Sequence, residues 1–95
     1  MNAAKFPIAR FRLGKIVVTP NALQQLTPDD ILAAIQRHQT GDWGELSSAD
    51  SQENERSLRQ GLRLSSLYRA RNGKKFWLIT EANRSATSVL LPEDS

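Results

Sequence analysis

Apolar residues change their period along this chain, and each change marks an element. Phe11, Leu13, Ile16, Val17 and Val18 predict a first strand, with Gly14 interrupting it as a bulge or a close backbone approach. Thr19-Pro20 has the N-cap and N1 pattern of a helix start, followed by Ala22, Leu23 and Leu26 on one side of a short helix from Asn21 to Leu26. Thr27-Pro28-Asp29-Asp30 repeats that signal with two carboxylates where the helix dipole favours them. The helix predicted from Pro28 to Gln39 collects Ile31, Leu32 and Ile35, with Ala34 or His38, on one face and stops at Gly41 as C′. Gly41-Asp42-Trp43-Gly44 reads as a tight turn. Ser47 or Ser48 then caps a third helix, Ala49 to Gln60, ended by Gly61. Its apolar face is thin, so it belongs on the surface, held by a few anchors and by charge pairs at helical spacing.

From there the period shortens to that of strands, near 62–71, 74–81 and 86–91. Asn72-Gly73 predicts a two-residue type I′ hairpin, which sets Arg71 opposite Lys74, Arg69 opposite Phe76, Tyr68 opposite Trp77 and Leu67 opposite Leu78. One face then holds Leu64, Tyr68, Ala70, Trp77 and Ile79, and the other holds Leu67, Arg69, Phe76 and Leu78. Both are partly apolar. Either the sheet curls around its helices or the second face meets another chain, as in a homodimer centred on Leu67, Phe76 and Leu78. The expected fold is α+β, in the order β-α-α-α-β-β-β. An antiparallel sheet, made of one N-terminal strand plus a C-terminal three-strand meander, packs against three helices. Residues 1–8 read as a flexible leader and 9–95 as a single domain.

Ninety-five residues leave no room for a second core or a deep cofactor pocket. The absence of cysteine excludes disulfides, thiolate metal sites and cysteine nucleophiles. No stretch is long and apolar enough for a signal peptide or a membrane span, so a cytoplasmic protein is expected. The net charge of +3 hides a segregation. Lys5, Arg10, Arg12 and Lys15 form an acid-free basic start, whereas the segment 16–55 sets seven carboxylates against Arg37. Arg56, Arg59, Arg63, Arg69, Arg71, Lys74 and Lys75 follow without an acid among them. Such a block attracts phosphate or an acidic protein, unless the acidic middle of the chain packs against it.

Chemistry is sparse. His38 stands alone and reads as a residue interacting with the C-terminal carbonyls and dipole of its helix. With Asp29 and Asp30 explained as first-turn residues, no metal is expected, and nothing suggests a cofactor. Ser47, Ser48 and Ser51 lack a nucleophile-elbow setting, and no catalytic residue stands out. Trp43 and Trp77 read as packing anchors, with base stacking as the alternative. In Thr80-Glu81-Ala82-Asn83-Arg84-Ser85, Asn83 suits a left-handed turn position and Arg84 is a candidate for recognising a carboxylate or phosphate.

The run from Phe76 to Asp94, with Gly41-Asp42-Trp43-Gly44 before it, resembles a family of small proteins encoded on bacterial plasmids and other mobile elements. That likeness implies plasmid maintenance, transfer or interference with a host defence. Thr19-Pro20-Asn21-Ala22-Leu23-Gln24-Gln25-Leu26, the basic strand Leu67-Tyr68-Arg69-Ala70-Arg71 and Arg84 are together similar to the RelE/ParE toxin fold. This second likeness implies a ribonuclease or a target-binding inhibitor. The expectation from the residues is a non-enzymatic interaction protein that binds an acidic protein or nucleic acid through Arg69, Arg71, Lys74, Lys75 and Arg84. The toxin is the enzymatic alternative, with Arg69, Arg71 and Arg84 as charge stabilisers.

Overall fold

The computed structural model describes residues 8–94; apart from Ile8, the expected leader lies outside them. The order is β1 (Lys15–Val18), α1 (Pro20–Gln25), α2 (Pro28–Gln39), α3 (Ser48–Gln60), β2 (Leu64–Arg69), β3 (Lys75–Thr80) and β4 (Ala86–Leu90), closed by a 3-10 turn at Pro92–Asp94. The class and element order agree with the sequence pattern.

Local chemistry explains the helices. The Thr19 hydroxyl accepts from Ala22 N–H at the start of α1, with Pro20 at N1. Thr27 and Asp30 form a reciprocal capping box on α2, both bonds at 3.1 Å. Ser47 caps α3, and Gly61 ends it in the left-handed conformation.

The sheet is mixed, not antiparallel throughout. Its strand order is β1-β4-β3-β2, and β1 runs parallel to β4, with Lys15 beside Ala86 and Val18 beside Val89. Tight turns force neighbouring strands to be antiparallel, but no tight turn joins β1 to anything. The helices carry the chain back to the end where β1 began, so β1, β2 and β4 all start there. Phe11 and Leu13, expected in this strand, precede it.

The hairpin register also differs from the expected one, by a single residue. Arg69 pairs with Lys75, Tyr68 with Phe76 and Leu67 with Trp77. The loop has three residues, Arg71-Asn72-Gly73, with Gly73 at φ 86° and Ala70 N–H donating to Lys74 at 2.8 Å. Asn72 serves a tether rather than a type I′ turn. Its amide donates to the Gln25 carbonyl at the end of α1, and its side-chain oxygen accepts from Lys74 N–H. A slip of one exchanges the faces of a strand. Phe76 and Leu78, expected at a second face, are therefore fully buried with Leu64, Tyr68, Val89 and Leu91 beneath Ala22, Leu26 and Ala34 of the helices. The other face presents Leu67, Trp77, Ile79 and Leu90, half-buried, with Ser65 and Ser88 between them.

Candidate functional site

The five cations expected to form a binding surface are divided between the two ends of the sheet. At the hairpin end, Arg69 donates to both oxygens of Glu45, at 3.1 and 3.2 Å, and Lys75 stands 3.9 Å from the same carboxylate. These bonds hold Glu45 below the usual carboxylate range. Glu45 is placed there by backbone pairing: its N–H donates to Leu67 C=O at 2.7 Å, and Leu67 N–H donates to Trp43 C=O. The segment 43–45 thus covers the outer edge of β2 and delivers a carboxylate to the basic strand. Arg71 and Lys74 at the tip make no ion pair among the described residues, although the backbone N–H of Arg71 reaches Asp30 at 3.3 Å.

Arg84 lies at the opposite end. About 17 Å of strand separates Arg69 from the Leu64/Thr80 pair that precedes it. Its guanidinium turns inward, donating to Leu62 C=O at 2.8 Å and Glu81 C=O at 3.0 Å and resting 5.7 Å from the Phe11 ring centroid. Arg84, not Asn83, takes the left-handed position, at φ 61°. The Asn83 side chain instead accepts from Ser85 N–H. A non-glycine residue in this region is disfavoured by roughly 1 kcal/mol, which the tethers offset. Arg84→Ala is therefore expected to lose about 2 kcal/mol in urea unfolding, and Arg84→Gly less, because glycine relieves the backbone. Arg69, Arg71 and Arg84 are not brought onto one phosphate-sized site.

Further cations lie on the chain that enters β1 and β2 at this end of the sheet. Lys15 N–H donates to Ser85 C=O, Arg84 bridges to Leu62, and Phe11 underlies Arg84. Arg12 and Lys15 lie before and at the start of β1, and Arg59 and Arg63 before β2, at the same end of the sheet but on its two opposite edges; all four are exposed and none has an ion pair among the described residues, although Arg59 acts on Glu55 through space. Sequence spacing could not set residues 12–15 and 59–63 at the same end of the sheet, because the parallel placement of β1 does so.

Arg10 is not part of the cluster. It forms a two-bond pair with Glu55 at 2.8 and 2.9 Å, and Glu55 also accepts from Trp43 Nε1 at 2.9 Å. The Arg10 guanidinium, helped by the indole, pulls the Glu55 carboxyl down to about 2. Trp43 is accordingly a packing anchor, whereas Trp77 is not: it sits half-exposed on the open sheet face.

His38 is fully buried, with 0% exposure, and works through the sheet rather than its own helix end. Nδ1 meets Ser66 Oγ at 2.5 Å, Nε2 meets Thr80 Oγ1 at 2.8 Å, Thr80 meets Thr87 at 2.7 Å, and Thr87 donates to Leu13 C=O at 2.7 Å. Proton accounting orients the chain. The carbonyl can only accept, so Thr87 donates to it and must accept from Thr80, and Thr80 must accept from Nε2–H. In the neutral ring Nδ1 is then bare and accepts from Ser66. Burial, with the Arg84 charge as a lesser cause, pushes the ring pKa down to about 4. Phe11 and Trp43 enclose the ring, with centroids 5.1 and 5.8 Å away. Enclosed in this way, the network is structural.

Among the described residues no group of histidines, cysteines or carboxylates is arranged to hold a metal ion, and no helix is long and apolar enough to cross a membrane. No family model matches the chain, and neither a curated protein nor a solved structure matches it.

Proposed function

We propose that this protein is a small non-enzymatic binding module that holds a polyanion, with nucleic acid as the leading partner, through the cations at the β3–β4 loop end of its sheet. The observation that carries this reading is the set of exposed arginines, Arg12, Arg59 and Arg63, on the chain entering β1 and β2 at one end of the sheet, without ion pairs among the described residues. The separation of Arg69 from Arg84 favours binding over phosphodiester cleavage, which needs converging charge on one phosphate. Arg71 and Lys74 at the far tip form a second, weaker contact. The likeness to plasmid-borne proteins would place such binding in plasmid maintenance, transfer or interference with a host defence.

The test is fluorescence anisotropy with labelled single- and double-stranded oligonucleotides. Reversing Arg12, Arg59 and Arg63 to glutamate is expected to weaken binding at least tenfold, alike across sequences. Reversing Arg69 and Lys75 instead should change it several-fold at most, since Glu45 already occupies them. Glu45→Gln should strengthen binding modestly by releasing both. Loss confined to the Arg69 and Lys75 variant would return the site to the hairpin. Absent oligonucleotide binding by the intact protein would remove nucleic acid as the partner.

A further inference from the structure

The two edges of the sheet differ. The outer edge of β2 is taken up by the segment 43–45, which pairs with Leu67. The outer edge of β1 is bare. Lys15 N–H donates to Ser85 C=O and Thr19 N–H to Val89 C=O, so the odd residues of β1 turn their backbone groups toward β4. By alternation Ile16 and Val18 turn theirs outward, where no backbone or side-chain group of the described residues meets them. Side chains follow the same alternation. Ile16 is 39% and Val17 41% exposed, so each face of the strand shows an apolar side chain to solvent.

An edge of this kind is a template for another strand. Register and charge decide which one. Antiparallel pairing with a second copy must set the outward residues opposite one another: Ile16 on Ile16, Ile16 on Val18, or Val18 on Val18. The first brings the two Lys15 side chains onto diagonal neighbours, like charge beside like. The last sets Pro20, which has no N–H, opposite Ile16. The middle register has neither fault. Ile16 and Val18 exchange both their hydrogen bonds, Val17 faces Val17, and Lys15 lies opposite Thr19. The Thr19 hydroxyl donates to Asp94 at 2.7 Å, so the partner's Lys15 meets a carboxylate, once at each end of the contact. The chain thus supplies both the base and the acid, each two residues from Val17.

We propose that two copies of this chain pair antiparallel through the outer edges of β1, about a two-fold axis at Val17, joining their sheets into one. The polyanion reading neither supports nor requires this pairing. Arg59 and Arg63 lie toward the far edge, before β2, and stay exposed in the dimer.

Sedimentation equilibrium of the intact protein, from about 1 to 500 µM, reads the pairing, which is expected to be weak at this interface size. The mass should climb from one chain toward two. Ile16→Pro removes an outward donor while leaving the ladder to β4 intact, and should hold the mass at one. Should it fail to fold by circular dichroism, Val17→Lys serves in its place, because it sets like charges directly opposite at an exposed position. Lys15→Glu, facing Asp94, should weaken association several-fold. Cross-linking reads the register. The chain has no cysteine, so with oxidised glutathione Val17→Cys should form a disulfide dimer roughly tenfold faster than Ile16→Cys. A monomer throughout the range would overturn the proposal. So would a dimer that survives Val17→Lys but yields to Leu32→Arg, since that places the contact in the apolar groove between α1 and α2. Faster cross-linking of Ile16→Cys would overturn the two-fold axis at Val17.

Discussion

Replacing His38 with alanine is expected to destabilise the protein by about 4 kcal/mol, most of what a domain of this size has to lose. The loss has two sources. A cavity opens between Phe11, Trp43 and the sheet, and Ser66 and Thr80 each lose a buried hydrogen-bond partner at roughly 1–3 kcal/mol apiece. Chemical denaturation at pH 7 measures it; a change below 1 kcal/mol would mean that the hydroxyls find other partners.

The same residue gives the protein a pH signature. His38 titrates near 4 in the folded state, against 6.5 unfolded, so between these values the unfolded chain binds the extra proton. The stabilisation is present above pH 6.5 and is lost as the pH falls. Roughly 2.5 kcal/mol should be gone by pH 4.5, before most of the depressed carboxylates such as Glu55 protonate. Unfolding free energies at half-unit steps from pH 7 to 4.5 test this, and His38→Gln should flatten the curve. An equally steep curve for that variant would assign the effect to other groups.

Gly14→Ala carries the second large effect, about 3 kcal/mol. A Cβ at this position would lie 2.3 Å from the Ser85 carbonyl oxygen and 2.5 Å from that of Arg84, both backbone atoms, and φ is +65°. Neither obstacle yields by turning a side chain. Relief requires β1 to move away from β4, breaking the Lys15-to-Ser85 bond that anchors the parallel pair. Hydrogen exchange should show faster opening in Val17 and Thr19, while β2 and β3 keep their protection. Uniform loss across the sheet would show that β1 does not open as a separate unit.

What could be read from the sequence, and what could not, divides along the range of the forces involved. Thr19-Pro20, Thr27-Pro28 and Ser47 placed the helices to within a residue, because a cap is satisfied by the next three residues. Gly14 was read as a bulge or a close backbone approach, and the second holds, because only glycine tolerates the carbonyls of Ser85 and Arg84 so near. The direction of β1 was not legible, because a strand with no adjoining turn takes its orientation from distant packing. The Asn72-Gly73 dipeptide suggested a two-residue loop, but the tether from Asn72 to Gln25 lies 47 residues away. That misplaced register turned Phe76 and Leu78 outward and Trp77 inward.

The site followed the same division. A basic block between residues 56 and 75 was visible, yet the capture of its Arg69 and Lys75 by Glu45, 24 residues from Arg69, was not. The His38 network was hidden for another reason. Only the true register places Ser66, Thr80 and Thr87 all on the face that His38 enters. A faint signal existed, since Ser66 sits between Leu64 and Tyr68 at the core-facing period of β2.

The central claim is that cations set around one end of the sheet are free to hold a polyanion, and the dependence of nucleic-acid affinity on salt tests it most directly. Four phosphate contacts would give a slope of log affinity against log salt near −3 to −4, hence a fall of roughly a hundredfold between 50 and 200 mM. That slope should shrink by several units in the Arg12, Arg59 and Arg63 charge-reversal variant. Binding that is absent at low salt, or that ignores salt altogether, would contradict it.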